Sequence, residues 1–342
     1  VAHGNFRANL PERWVVGVSD HLTGNLDLES NVLGGSADID FFNTLDEKEF
    51  DPERLARLDA FLIWRASLTS ASIPHLKKCR IVVRFGVGYD TIDVAGLTAA
   101  GIAFANNPDY GTEEVADHTM ALILSLLRRL WEQDHRARGY TTSWQSNTLS
   151  PLARITTATV GVVGVGRIGT AVVNRLKPFG FRILGYDPDQ PAGHEKAVGY
   201  HRVGNLDDLL AQVDVLTFHC PLDSQTRGLI DRKLLGTLKP GAIVINTARG
   251  GLLDNLDSLE SALRSGQVAA AGLDVLPEEP PAAHPLIEAW RRREPWLAGR
   301  LVITPHNAFH SDAAEIEMRH NAAETVRLFL ETGVLRNRIK SP

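Results

Sequence analysis

Cysteine is nearly absent from this sequence. Cys79 and Cys220 are the only two in 342 residues, and they have no CxxC spacing. A disulfide framework and a cysteine-rich zinc site are thereby excluded, which suits a reducing cytoplasm. Long apolar runs are missing too. The most apolar stretch, Met120 to Leu127, is interrupted by Ser125 and closed by Arg128 and Arg129. A bilayer span needs ~20 apolar residues, so this stretch reads as a buried helix. No sustained basic run occurs: the densest cluster, Arg291 to Arg293, is flanked by Glu288 and Glu294, and the formal net charge is -5. That balance excludes nucleic acid and anionic membrane as partners and leaves room for a local anion pocket. The opening residues VAHGNFRANLPERW lack the charged-then-apolar layout of a signal peptide, so the expected location is cytoplasmic. There is no repeat of solenoid period and no low-complexity tract.

What is present is an ordinary globular balance, 44% apolar and 23% charged, in a chain longer than one core usually serves. Two domains are expected. From residue 14 to 105 short apolar runs alternate with amphipathic ones. Strands are predicted at 14–18, 39–42, 60–64, 81–84 and 102–104, with helices at 52–57, 72–78 and 94–100. Strands alternating with helices imply right-handed crossovers and a parallel sheet. A single long helix is then predicted from Thr112, as N-cap, to about Arg138, with Glu113 and Glu114 at its positive end. Its middle is apolar nearly all round, as in a helix packed between layers. A second alternation gives strands at 159–163, 182–186, 213–218, 242–245, 269–273 and 301–303, with helices at 167–177, 206–212, 232–238 and 256–265. Six such strands are the inventory of a dinucleotide-binding sheet. Four prolines between Pro277 and Pro285 mark a loop, and a last helix runs from about Ala313 to Thr332.

Gly164-Val165-Gly166-Arg167-Ile168-Gly169 is a GxGxxG that follows the strand ATVGVV and opens a helix. The pattern alone is weak, but this context is the one its physics requires. The first glycine turns the chain, and the second lets amide N–H groups reach a pyrophosphate. The third permits close helix–strand packing. Asp187 ends the next strand, 18 residues after Gly169, with no Arg or Lys in the following eight positions. A carboxylate there accepts from the ribose hydroxyls of NAD and repels the 2′-phosphate of NADP, so NAD is the expected cofactor.

Ligands of an open α/β sheet bind beyond the carboxyl ends of its strands. After AIVIN come Thr247, Ala248, Arg249 and Gly250; after AAAGL come Asp274 and, five residues on, Glu279; after LVITP comes His306. Hydride transfer to a 2-oxo acid calls for these three residue types. An imidazole supplies the proton for the developing alkoxide. A guanidinium holds the substrate carboxylate. A carboxylate orients the imidazolium and stabilises its charge. Redox chemistry belongs to the nicotinamide, so no metal is expected. A structural salt bridge is the competing role for Arg249, although Gly250 and Gly251 suggest a backbone that something approaches closely. Glu278 competes with Glu279, and spacing does not separate them.

The segments RFGVGYDTID (84–93), EEVADHTMAL (113–122), GVVGVGRIG (161–169), FHCPL (218–222), INTARGGLLD (245–254), AGLDVLPEEP (271–280) and ITPH (303–306) are spread along the chain, and the match they belong to covers nearly all of it. In this order they resemble the D-isomer-specific 2-hydroxyacid dehydrogenase family. GYDP, GHEKAVG, RLVITPHNAFHS and IEMR are similar to its C-terminal-binding-protein-like and phosphoglycerate-dehydrogenase-like branches. The resemblance implies two doubly wound parallel-sheet domains, a flavodoxin-like substrate domain and a Rossmann NAD-binding domain, with the active-site cleft between them. The substrate domain would be discontinuous, 1–108 and 308–342, and the NAD domain would be 109–307. The helix near 113–138 would cross between them and join a two-fold homodimer contact. The resemblance implies His306 as acid/base, Glu279 as its partner, and Arg249 as the group that binds the carboxylate and polarises the carbonyl. It puts Asp274 near the nicotinamide carboxamide and Asp187 on the adenosine ribose. Thr119, Arg167, Ile168, His219, Cys220, Pro221, Thr247 and Ala248 would be further cofactor contacts. The backbone of Val87 and Gly88, with Arg84, would take the substrate carboxylate. Phe309 stands where the C-terminal-binding proteins carry a pocket Trp, and the 280–300 segment is longer than in many members, so the pocket differs. The alternative reading is an NADH-sensing scaffold without catalysis.

Overall fold

The computed structural model describes residues 13–20, 25–139, 144, 149, 152 and 154–340. The opening stretch that was read for a signal layout lies, through residue 12, outside them. The chain divides into two compact units, Val1–Tyr110 with Ser311–Pro342, and Gly111–His310.

The first unit begins with β1 (Trp14–Val18), α1 (Asp27–Leu33), β2 (Ala37–Phe41), α2 (Pro52–Leu55), β3 (Ala60–Ile63), β4 (Ile81–Arg84), α3 (Val94–Ala99) and β5 (Ala103–Ala105). All pairs are parallel, in the order β2-β1-β3-β4-β5. This is the flavodoxin-like order. β3 and β4 are almost wholly buried, which is why they read as continuous apolar runs rather than alternating ones. The helix predicted at 72–78 is only a single 3₁₀ turn, Ile73–His75. Pro74 and the short span before Cys79 leave no length for an α-helix.

In the second unit the predicted long helix is two helices, α4 (Thr112–Leu127) and α5 (Leu130–Arg138). Arg129 breaks the run with a left-handed backbone, φ 50°, and its guanidinium bonds forward to Glu132 Oε2. The N-cap of α4 is Gly111, so Thr112 is the first helical residue rather than the cap. α4 packs on the helix Arg167–Leu176 and on the strands Ala242–Asn246 and Val268–Leu273, which accounts for its buried Val115, Ala116, Met120, Leu122, Ile123, Leu126 and Leu127.

The elements that follow are β6 (Thr159–Val163), α6 (Arg167–Leu176), β7 (Arg182–Tyr186), α7 (His194–Val198), β8 (His201–Arg202), α8 (Leu206–Leu210) and β9 (Val215–Phe218). Next come α9 (Arg232–Thr237), β10 (Ala242–Asn246), α10 (Leu256–Ser265), β11 (Val268–Leu273), α11 (Pro285–Arg291) and β12 (Leu301–Ile303). The sheet has seven parallel strands, β12-β11-β10-β9-β6-β7-β8, one more than predicted, because β8 is only two residues long. Order reverses at β6, the switch point of a dinucleotide-binding sheet.

α12 (Asp312–Thr332) returns to the first unit. Ser311 Oγ caps it by accepting from Ala314 N–H at 3.0 Å, and Gly333, φ 75°, ends it. Arg319 of α12 forms a two-pronged pair with the fully buried Glu29 of α1, both contacts at 2.8 Å. Among the described residues no helix is long and apolar enough to cross a membrane.

Candidate active site

Register builds the candidate site. Tyr186 pairs with Val163, Val163 with Phe218, Phe218 with Asn246, Asn246 with Leu273, and Leu273 with Ile303. These six residues form one row across β7, β6, β9, β10, β11 and β12. The next residue on each strand therefore lies on a common edge: Asp187, Gly164, His219, Thr247, Asp274 and Thr304. The strands are all parallel, so this is the carboxyl edge, where the sequence reading sought the chemistry.

The glycine turn fits a dinucleotide. Gly164 has φ 86°, and a Cβ there would fall 2.6 Å from Cys220 N. A Cβ on Gly169 would fall 2.0 Å from Gly164 O, so strand and helix pack with no room for a side chain. A Cβ on Gly166 would meet nothing within 4 Å. Gly166 is thus the place where the protein leaves space, at the N-terminus of α6, and a pyrophosphate would sit there. Asp187 is tied to the turn: Oδ2 accepts from Val165 N–H at 2.7 Å and Oδ1 from Asp189 N–H at 3.0 Å. Arg167 is exposed and Ile168 half-buried. His219 donates its amide to Val163 O at 2.7 Å, and its ring Nε2 lies 2.9 Å from Thr217 Oγ1. Burial pushes the His219 ring down to about 3 and the Cys220 thiol up to about 12, so both side chains are neutral near pH 7. Pro221 O accepts from the Thr226 hydroxyl at 2.6 Å.

His306 stands three residues beyond β12. Its Nδ1 lies 2.7 Å from Glu279 Oε2, and Glu279 Oε1 accepts from Leu276 N–H at 2.9 Å. It is Glu279 that reaches the ring, which resolves the choice between adjacent acids. A carboxylate only accepts, so His306 donates from Nδ1 and keeps Nε2 for another partner. Burial by itself raises the Glu279 carboxyl. The His306 hydrogen bond and charge, the Leu276 N–H and the Arg249 charge outweigh it and hold the carboxyl below its ordinary range.

The backbone of His306 is left-handed, φ 52°. Such a residue costs about 1–3 kcal/mol unless its surroundings hold it. Asp274 does so. Buried to 2% exposure, it accepts on Oδ1 from Thr304 Oγ1–H at 2.6 Å and from Asn307 N–H at 3.0 Å. Oδ2 accepts from Ala308 N–H at 3.0 Å, and the Asp274 main-chain oxygen from His306 N–H at 2.8 Å. The Asp274 carboxylate is committed to the loop that carries His306. Thr304, Asn307 and Ala308 had no role in the sequence reading, since nothing in their spacing links them to residue 274.

Arg249 lies in the turn after β10. Asn246, 1% exposed, brackets that turn by donating Nδ2–H to Arg249 O at 2.8 Å and accepting Ala248 N–H at 3.0 Å. The sequence reading missed Asn246; an Asn closing an apolar strand before a turn was the available signal. The close approach expected beside Gly250 is real, and its origin is internal: a Cβ there would fall 1.8 Å from Leu276 O. The turn bearing Arg249 and the segment leading to Glu279 are thereby pressed together. Thr119 is fully buried and its hydroxyl meets Thr247 Oγ1 at 2.9 Å. Phe309 packs over Gly111, where a Cβ would meet the Phe309 Cβ at 3.2 Å.

In the first unit, the carbonyls of the loop after β4 are engaged by neighbouring donors. Val87 O accepts from Asn106 Nδ2–H at 2.6 Å, and Gly88 O from Arg84 Nε–H at 2.9 Å. Gly86 O accepts from Asn107 N–H at 3.4 Å. In a trans peptide the N–H opposes the C=O, so the amides of Val87 and Gly88 point the other way.

Comparison with known proteins places this geometry in context. The model of the "D-isomer specific 2-hydroxyacid dehydrogenase, NAD binding domain" matches residues 120–308. The D-3-phosphoglycerate dehydrogenase of Mycobacterium leprae is 38% identical over 273 residues, 80% of this chain and 49% of that protein. That of Mycobacterium tuberculosis is 37% identical over the same length. The chain spans about half the length of the curated relatives it matches. Among solved structures, D-lactate dehydrogenase from Aquifex aeolicus, complexed with NAD and lactic acid, is 26% identical. It superposes with TM-score 0.83, covering 96% of this chain and 99% of its own. An NADPH-dependent glyoxylate/hydroxypyruvate reductase from Sinorhizobium meliloti, in complex with NADP and malonate, is 27% identical. Its TM-score is 0.81, with 96% of this chain and 97% of its own covered.

Proposed function

Because the chain belongs to the D-isomer-specific 2-hydroxyacid dehydrogenase family and carries its NAD-binding domain, we propose that it interconverts a small 2-oxo acid and the corresponding D-2-hydroxy acid. The observation that carries the reading is the 2.7 Å His306–Glu279 pair on the carboxyl edge that also bears the glycine turn. When bound, the nicotinamide supplies or accepts the hydride. The residues of this chain do the rest. His306, donating Nδ1–H to Glu279, gives a proton from Nε2 to the forming alkoxide oxygen, and takes it back in the oxidative direction. Glu279 keeps the ring in that orientation and stabilises its charged form. Arg249 binds the substrate carboxylate and polarises the carbonyl.

Gly164, Gly166 and Gly169 with Arg167 and Ile168 cradle the pyrophosphate, and Asp187 takes the adenosine ribose. His219, Cys220, Pro221, Thr247 and Ala248 border the cofactor. The backbone amides of Val87 and Gly88, with Arg84, are assigned to the substrate carboxylate, and Phe309 borders the substrate. The reading extends to a cytoplasmic homodimer.

The test is NADH oxidation against glyoxylate, hydroxypyruvate, pyruvate, phosphohydroxypyruvate, 2-oxoglutarate and a methionine-derived oxo acid, with the chirality of the product determined. One accepted acid giving the D product supports the proposal. NADH binding with no turnover on any 2-oxo acid points to a sensor rather than an enzyme.

A further inference from the structure

Two adjacent residues of α4 reach the loops that carry the proposed chemistry. The Thr304 hydroxyl has one proton, and it goes to Asp274 Oδ1, since a carboxylate only accepts. His118 Nε2 lies 3.0 Å from Thr304 Oγ1, so His118 must be the donor in that contact. The same nitrogen is 4.0 Å from Asp274 Oδ1. The next residue repeats the logic. The Thr119 hydroxyl donates to Val115 O at 2.7 Å, so Thr247 donates to Thr119 Oγ1 across 2.9 Å. α4 therefore grips the residues that follow β12 and β10, and from there the chain runs two residues to His306 and two to Arg249.

We propose that His118 and Thr119 are positioning residues that set His306 and Arg249 through Thr304 and Thr247. His118 carries the more telling part. The relay His118 Nε2–H to Thr304 to Asp274 completes a one-directional chain of donors. It ends on the carboxylate that fixes Asn307 and Ala308 on the far side of His306. Asp274 helps hold the left-handed His306, and among the described residues Thr304 is the side chain that hydrogen-bonds its Oδ1. A helix anchored in the sheet by Ala116, Met120 and Ile123 is a rigid base for that aim. Asp274, on this account, serves the histidine loop rather than the nicotinamide.

The kinetic arm of the test rests on the dehydrogenase reading; the spectroscopic arm does not. His118→Leu, Thr304→Val, their double variant and His118→Gln are compared in the full chain, by steady-state kinetics and by NADH fluorescence titration. Histidine ¹⁵N–¹H spectra of the NADH-free protein are recorded alongside. The expected result for each single removal is a kcat lower by about tenfold to a hundredfold, with KM and NADH affinity held. The double variant should be no worse than the worse single, because both cut one relay. Gln, which can donate from the same reach, should restore most of the rate. The His306 ring signals should shift in His118→Leu and Thr304→Val alike.

Unchanged kcat with unchanged His306 signals overturns the proposal. So does a loss confined to NADH affinity, which would make the network a cofactor contact. If the parent turns over no 2-oxo acid, the dehydrogenase reading fails while the His306 spectra still decide the relay. Should His118→Leu not fold, Thr304→Val cuts the same link without touching the helix.

Discussion

His306 and Glu279 are joined by a 2.7 Å bond from Nδ1 to Oε2 although 27 residues separate them. A second bond, from Leu276 N–H to Glu279 Oε1 at 2.9 Å, fixes the carboxylate that fixes the ring. Glu279→Gln keeps the shape and removes the charge. Turnover is expected to fall on the order of a hundredfold with NADH affinity unchanged, read by kinetics beside fluorescence titration. An equal loss in both would assign Glu279 to the cofactor instead.

The same pair makes a pH prediction. The Glu279 carboxyl is held below its ordinary value of 4.5, with burial opposed by the stronger sum of His306, Leu276 and Arg249. A depressed carboxyl adds stability above its unfolded value and loses it as the pH falls through the folded one. Denaturant midpoints of the parent and Glu279→Gln, measured from pH 7 downward, should therefore converge below 4.5. Parallel curves would mean that the pair contributes no linkage.

His219 gives the opposite case of a base kept neutral. Burial lowers its ring from 6.5 to about 3. Between those values the unfolded chain binds the proton that the folded one refuses, so stability falls on acidification. His219→Gln should flatten the stability curve between pH 6.5 and about 3. A slope equal to the parent's would place the acid sensitivity elsewhere.

Gly166 and Gly169 should separate binding from folding. At Gly166 a Cβ would meet nothing within 4 Å, so an alanine has space in the protein alone. Gly166→Ala should melt with the parent and bind NADH weakly. Gly169→Ala puts a methyl 2.0 Å from Gly164 O. Such overpacking typically costs about 1–3 kcal/mol, so this variant should lose melting temperature as well as NADH. Calorimetry of both variants decides; a folding loss at Gly166 would refute the reading of the open space.

How much of this was legible beforehand depends on range. β4, β6, β7 and β12 coincide with the apolar runs that predict them, and the glycine turn was marked by three glycines in a local context. β8 was invisible because two residues, His201 and Arg202, carry no periodicity. The break between α4 and α5 was hidden because Arg129 has no compositional mark of a left-handed backbone, unlike Gly or Asn. His306 and Arg249 could be nominated because strand ends converge on one edge, whereas the choice of Glu279 over Glu278 came from the family resemblance. The relay from His118 to Thr304 spans 186 residues, and only the register of the folded sheet brings it together.

The proton transfer assigned to His306 is best probed with His306→Asn. Asparagine tolerates the left-handed φ of 52° that this position requires, so the loop is kept while the acid is removed. Stopped-flow NADH oxidation with the accepted 2-oxo acid, alongside NADH titration, gives the answer. Unchanged NADH affinity and a hydride-transfer step slower by about 10²–10⁴-fold are expected. Hydride transfer at the parent's rate in His306→Asn would remove His306 from the proton transfer.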